Sequence, residues 1–376
     1  MIGRTLEDIA RKRPSPRYLP RMIKYLGSKR RLLDQITAVA RAVPDASTVV
    51  DLFSGTARVG HALKQAGFAV QANDYAAYAH VLATCYVQAD AERWTHEAEV
   101  LLAELQAVSP TPGYVTRTFC EEARYFTPEN GARIDAIRDA IAARALPPEL
   151  EAIALTSLLE AADRVDSTTG VQMAYLKQWA PRAHKPLTLR LPTLLPRAAG
   201  GAGSAHRLEA IDAAATLSGH IAYLDPPYNQ HSYLGNYHVW ETIVRWDAPE
   251  AYGIARKRRD TRARASIFNS RPRHADAFRR VVETIDARML IVSFSNEGWL
   301  SRDDLLGMLA SRGALLVLDH DYKRYVGAQI GIHNRRGERV GTVSHLRNTE
   351  SLYVVGTAAD VDAVRRTTPA SSRISW

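Results

Sequence analysis

The chain has 376 residues, more than one average domain, and its 46% hydrophobic and 24% charged residues are those of an ordinary globular protein. No apolar run approaches the roughly eighteen residues of a spanning helix, and MIGRTLEDIARKRPSPRYLPRM lacks the apolar middle of a signal peptide, which predicts a cytoplasmic protein without a membrane role. A net charge of +9 favours polyanionic partners, nucleic acid first among them, while two distant cysteines, Cys85 and Cys120, make no zinc cluster.

In chain order, Lys29 to Val43 carries apolar residues at helical spacing until Pro44 and Asp45 break the pattern. STVVDLF is short, β-branched and apolar, so it predicts a buried parallel strand, followed by a glycine turn and a helix in GTARVGHALKQAG. FAVQANDY repeats the strand with an acidic end, and a helical segment follows from Tyr78. That alternation predicts an α/β fold.

From about Ala91 to Arg197 helical patterns dominate, notably RIDAIRDAIAARAL and ELEAIALTSLLEAADRV, the second opened by Pro147 and Pro148. Prolines and then glycines in KPLTLRLPTLLPRAAGGAGSAH mark a linker. Strands resume in HIAYLD, MLIVSFS, ALLVLDHDY and SLYVVGT, with a helix in ADAFRRVVETIDARM. The stretch DHDYKRYVGAQIGIHNRRGERVG has the pattern of a β-hairpin with an Arg-Gly turn, and RRTTPASSRISW carries little that could pack. The expected organisation is a basic arm over 1–20, an α/β body over 21–110 and 205–360, a helical insertion over 111–204 and a flexible tail over 361–376.

Two stretches carry chemistry. VVDLFSGTARVG runs from a strand through a glycine loop into a helix, a common nucleotide-binding arrangement. It is no P-loop, because His61 and Ala62 stand where Lys and Ser/Thr are needed, and no dinucleotide fingerprint, because Ala57 takes the second glycine position. What remains is a backbone approach with a carboxylate, Asp51, and a second one, Asp74, at the spacing where an acidic residue meets ribose hydroxyls. An adenosine bearing a positive sulfonium fits both, although a tight turn and a surface aspartate would also explain the pattern.

The second stretch is Asp225-Pro226-Pro227-Tyr228, directly after the strand HIAYL, where open α/β sheets bind ligands. An exocyclic amine on a nucleobase is a poor nucleophile, because its lone pair is delocalised into the ring. The Asp225 carboxylate and Pro226 carbonyl could accept both amino hydrogens and favour a localised lone pair, while Tyr228 stacks on the base. Such a base must first leave its duplex. A proline-rich turn would account for the four residues alone.

These stretches together resemble the Dam-like DNA N6-adenine methyltransferases (D12 class, alpha group), which use S-adenosylmethionine. The resemblance rests on IKYLGSKRRLL, DLFSGTARVG, Asn73-Asp74, DPPY and SFSNEG, in the family's order over residues 22 to 298. It implies a Rossmann-like sheet with a helical target-recognition insertion, and a cofactor site of Tyr25, Lys29, Asp51, Phe53, Ser54, Gly55 and Asp74. Catalysis would fall to Asp225, Pro226, Pro227 and Tyr228, with no metal. The family usually has tryptophan where Tyr25 stands and glycine where Ser28 stands.

The implied partner is double-stranded DNA, with a companion restriction endonuclease as a further expectation. Thr169, Gln172, Tyr175 and Lys177 in the insertion, and Arg258, Arg259 and Arg262 in ARKRRDTRARAS, are the candidate DNA contacts. His231 and His238, close behind the tetrapeptide, match no zinc spacing. Alternative readings keep the fold and methylate N4 of cytosine or an RNA adenine, or make the chain a non-catalytic DNA-binding specificity partner.

Overall fold

The computed structural model describes residues 22–230, 232–323, 332–333, 339–341, 347–367 and 373–374. Its centre is one eight-stranded sheet. In chain order the strands are β1 (Thr48–Asp51), β2 (Ala69–Asn73), β3 (Ser204–His206), β4 (Ser218–Leu224), β5 (Ala251–Tyr252), β6 (Lys257–Arg258), β7 (Asp286–Ser295), β8 (Ala314–Lys323), β9 (Ile332–His333), β10 (Arg339–Gly341), β11 (Arg347–Gly356) and β12 (Arg373–Ile374). The sheet order is β12-β8-β11-β7-β4-β1-β2-β3, and β5-β6 and β10-β9 form separate pairs.

Strands β3, β2, β1, β4 and β7 run parallel, whereas β11 lies antiparallel between β7 and β8. The pleat sorts the apolar residues strictly. Val49, Ile221, Met289 and Ile291 face one core, while Val50, Ala222, Leu290 and Val292 face the other. Each of these strands is buried on both sides, which is why its sequence reads as a continuous apolar run instead of an alternating one.

Helices Ala91–Ala107, Pro128–Ala142 and Pro148–Val165 pack into the first core. Leu105, Ile137 and Leu158 are fully buried and belong to the same apolar cluster as Val49 and Ile221. The helical segment is thus an extension of the sheet's own core. Helix Arg271–Thr284 covers the other face through Phe278, Val281 and Val282. Among the described residues no helix is long and apolar enough to cross a membrane. Both cysteines are buried.

The expected flexible tail is corrected in part. Residues Ala358–Thr367 form a helix that buries Val361 and Val364, held by an ion pair from Arg288 to Asp360 at 3.1 Å. Beyond it, β12 pairs with β8 at the sheet edge. The polar composition concealed two well-spaced valines, which are enough to seat a short helix. For the expected hairpin, β9 and β10 pair antiparallel, and its Arg-Gly turn lies outside the described residues, as do the basic arm and His231.

A tight backbone crossing gives a direct test of this packing. A Cβ on Gly200 would stand 2.4 Å from the Ser47 carbonyl and 2.9 Å from the Ala69 amide, whereas one on Gly307, inside a helix, meets nothing within 4 Å. Gly200→Ala is expected to destabilise by about 1–3 kcal/mol and Gly307→Ala to stabilise by roughly 0.5–1 kcal/mol. Urea denaturation of the two variants checks both signs.

Candidate active site

Strands β4, β1 and β2 are parallel neighbours, so their carboxyl ends bring Asp225, Asp51 and Asp74 to one rim of the sheet. The cleft there lies at the point where the strand order turns from β1-β2 on one side to β4-β7 on the other. It is partly open to solvent and is lined by all seven residues expected to hold the cofactor. Asp225 lines it too. That lining suits a nucleoside-like ligand.

The glycine loop shows how it opens the cleft. Gly55 has φ +53° and Ala57 φ 58°, so an alanine occupies the left-handed region immediately before helix Arg58–Gln65. That costs about 1–2 kcal/mol, the kind of strain that persists where the surroundings over-determine it. Asp74 braces the loop: its two carboxylate oxygens accept from the amides of Gly55 and Ala76, each at 3.0 Å. Lone pairs remain on both oxygens for a diol.

Asp51 behaves differently. One oxygen accepts from the Gly60 amide at 3.0 Å, while the other is buried without a partner among the described residues. Burial, aided by the charge of Asp225, pushes its pKa up to about 8. Burial likewise raises Asp74 to about 6. Beside them the Ser54 hydroxyl is also buried without a partner among the described residues. A lone carboxylate oxygen and a hydroxyl on two residues that line the cleft are the polar set a cationic adenosine derivative would use.

At the β4 end, Lys29 binds Asp225 at 3.0 Å and also pairs with Glu350 on β11, which accepts from the Ser293 hydroxyl at 2.8 Å. Burial disfavours the Lys29 charge, but the two carboxylates outweigh it and hold its pKa well above the ordinary value. Burial also raises Asp225, to about 6, against the opposing pull of Lys29. Tyr228 is half-buried, with its ring 5.5 Å from that of Phe294, and its carbonyl accepts from the Trp299 amide at 3.1 Å. The Asn229 carbonyl accepts from Asn269 at 2.9 Å, which ties the loop after Tyr228 to the cleft wall.

Tyr25 is stacked on both Tyr233 (5.1 Å) and Tyr237 (4.6 Å), and its hydroxyl lies 3.2 Å from that of Tyr78. Sequence reasoning missed Tyr233, Tyr78 and Glu350. The signal for Glu350 was a single charge opening the apolar strand TESLYVVG, which reads as an ordinary strand end without its partner.

The expected DNA contacts divide. Thr169, Lys177, Arg259 and Arg262 are exposed, the last two beside Glu250 and the ring of Tyr252. Tyr175 is half-buried, edge-on to Tyr125. Two contacts are corrected. Gln172 is buried and its side-chain oxygen accepts from the Val239 amide at 2.9 Å, and Arg258 is 1% exposed, forked onto Asp247 and Asp260. A guanidinium with its donors spent on two carboxylates has none for a phosphate. His238 is buried, its Nε2 2.9 Å from the Gln172 carbonyl, and burial lowers its pKa to about 3.

The chain matches the model of the D12 class N6 adenine-specific DNA methyltransferases over residues 25–304. It is 29% identical to the type II methyltransferase M.NlaIII of Neisseria lactamica across 88% of this chain and all of that protein. M.CviAII of Paramecium bursaria Chlorella virus 1 is 30% identical across 81% of this chain and 92% of its own length. M.FokI of Planomicrobium okeanokoites is 32% identical across 77% of this chain, which spans only 47% of that longer protein.

Removing the ammonium tests the electrostatics of this site. Lys29→Met leaves Asp225 and Glu350 as buried carboxylates without their cation, at a cost of about 3–5 kcal/mol at neutral pH. Burial already raises Asp225 to about 6, and loss of Lys29 removes the charge that opposes that rise, so stability relative to wild type should fall as pH rises from 5 to 8. Urea denaturation at both pH values reads this, and a constant difference would contradict it.

Proposed function

The chain belongs to the D12 class of N6-adenine-specific DNA methyltransferases, and from that premise we propose that Asp225, Pro226 and Tyr228 hold a flipped adenine at the β4 end of the cleft. It is a site-specific enzyme that uses S-adenosylmethionine. The proposal rests on one observation: Asp225 and Asp51 end adjacent parallel strands and face one cleft.

Asp51, Ser54 and Asp74 would hold S-adenosylmethionine, with Tyr25, Lys29, Phe53 and Gly55 completing the walls. It would supply an electrophilic methyl on a cationic sulfur, the N–C bond to N6 forming as the C–S electron pair returns to sulfur and one amino proton passing to water. Asp225 and the Pro226 carbonyl accept the two amino hydrogens, favouring a lone pair localised on N6. Pro227 keeps the turn stiff, and Tyr228 offers its face to the base. Only an ionised Asp225 accepts through both oxygens, so transfer should require pH above its pKa of about 6.

Exposed Thr169, Lys177, Arg259 and Arg262 are the proposed DNA contacts, with Tyr175 behind them. The work is proposed to take place in the cytoplasm, beside a restriction endonuclease of matching specificity.

Two measurements test the site. Nucleoside mass spectrometry of unmethylated DNA incubated with the protein and S-adenosylmethionine should show N6-methyladenine, reduced about a hundredfold or more by Asp225→Ala. N4-methylcytosine, or full activity in the variant, would overturn the assignment. Binding of the cation should also draw a proton from Asp51. Calorimetry at pH 7 in buffers of different ionisation heat should therefore show proton release, with affinity rising as pH approaches 8 and levelling above it.

A further inference from the structure

Glu350 stands outside the residues matched by the family model, 25–304, yet it completes the charged centre of the site. It is buried on β11, two strands away from Asp225 in the order β11-β7-β4. Lys29 crosses that gap with one ammonium between the two carboxylates, and Ser293 on β7 fixes the far one. A buried cation with a single anion nearby would be drawn fully onto it. Here the cation is shared.

We propose that Glu350 is a positioning residue for methyl transfer: by sharing the Lys29 ammonium, it keeps Asp225 a strong acceptor for the target amine and leaves the three-group centre with one net negative charge. This inference rests on the reading of Asp225 as that acceptor. The reaction moves positive charge from sulfur to N6, so a centre of charge −1 beside N6 favours the transition state more than a neutral Lys29–Asp225 pair would. Atoms and electrons balance as in the transfer already described, and Glu350 exchanges no proton. It acts only through Lys29.

The groups facing Asp225 are Lys29 from the N-terminal loop, Asp51 from β1, Tyr223 from β4, Tyr228 and Tyr233 from the following segment, and Glu350 from β11. Among them, Glu350 raises the proton affinity of Asp225 and Lys29 lowers it. Loss of the Glu350 charge acts in one direction twice, because it removes a repulsion and frees Lys29 to bind Asp225 alone.

The test compares the full chain with Glu350→Gln and Glu350→Asp. In ligand-free protein labelled with [13C]aspartate, with Asp225 assigned through Asp225→Asn, the Asp225 carboxyl should titrate at lower pH in E350Q. In the same variant kcat should fall about tenfold or more, with KM for S-adenosylmethionine and DNA within about threefold, and the acid limb of kcat should move to lower pH. E350D keeps the charge and should hold the limb at the wild-type position, so it carries the test if E350Q folds poorly. An unchanged titration, or a loss of kcat that merely follows a fall in Tm in both variants, would overturn the proposal. If Asp225→Ala still methylates adenine, the reading of the site fails instead, whatever Glu350 does.

Discussion

The structure depends on a crowding of like charges that parallel strand pairing enforces. Neighbouring strands lie about 4.8 Å apart, so when β4, β1 and β2 each end on an aspartate the three carboxylates must share one rim. Burial makes that costly, and the raised proton affinities of Asp51, Asp74 and Asp225 are the result. Each is relieved differently: Asp74 by two backbone amides, Asp225 by Lys29, and Asp51 by one amide only. The least relieved carboxylate is the one with most to gain from an incoming cation.

Around that rim the fold supplies rigidity from both faces. The helices over 91–165 share their core with the sheet, so the segment of candidate DNA contacts that follows them is anchored to the same packed body as the tetrapeptide at 225–228. Buried polar bonds reinforce the link. The Gln172 backbone amide donates to the Asn236 carbonyl, and the single proton of the Tyr125 hydroxyl lies between the carbonyls of Gln172 and Ala255, at 2.8 and 2.9 Å. Residues at 172, 236 and 255 are thereby joined across segments that the sequence separates widely.

Much of this was legible in the sequence because the informative features are local. A β-branched run ending in Asp51, a glycine loop and the tetrapeptide at 225–228 each announce a strand end and its chemistry within a dozen residues. Asp51, Ser54, Gly55 and Asp225 line one cleft for that reason, whereas Tyr25 and Lys29 were expected there only through the family resemblance. What sequence could not reveal is which polar residues are consumed by partners. Arg258 and Gln172 look like free donors in a basic or polar stretch, and only the fold sets Arg258 against Asp247 and Asp260, and Gln172 against the Val239 amide. Glu350 was hidden for the reverse reason: its partner Lys29 lies 321 positions away. A helix such as 358–367 escaped because two valines suffice when an apolar groove already exists.

The antiparallel placement of β11 also bears on how the molecule is assembled. A strand inserted between β7 and β8 joins the sheet only after both have been synthesised, so the pairing of residue 29 with residue 350 is among the longest loop closures in the chain. Until it forms, β7 has an open edge, and the ammonium of Lys29 has one anion where the finished site has two. The glycine loop and the tetrapeptide can be in place well before the charge balance beside them is. Closing the sheet with β11 and completing the charge balance at Lys29 are thus one structural event, because the strand that fills the gap carries Glu350.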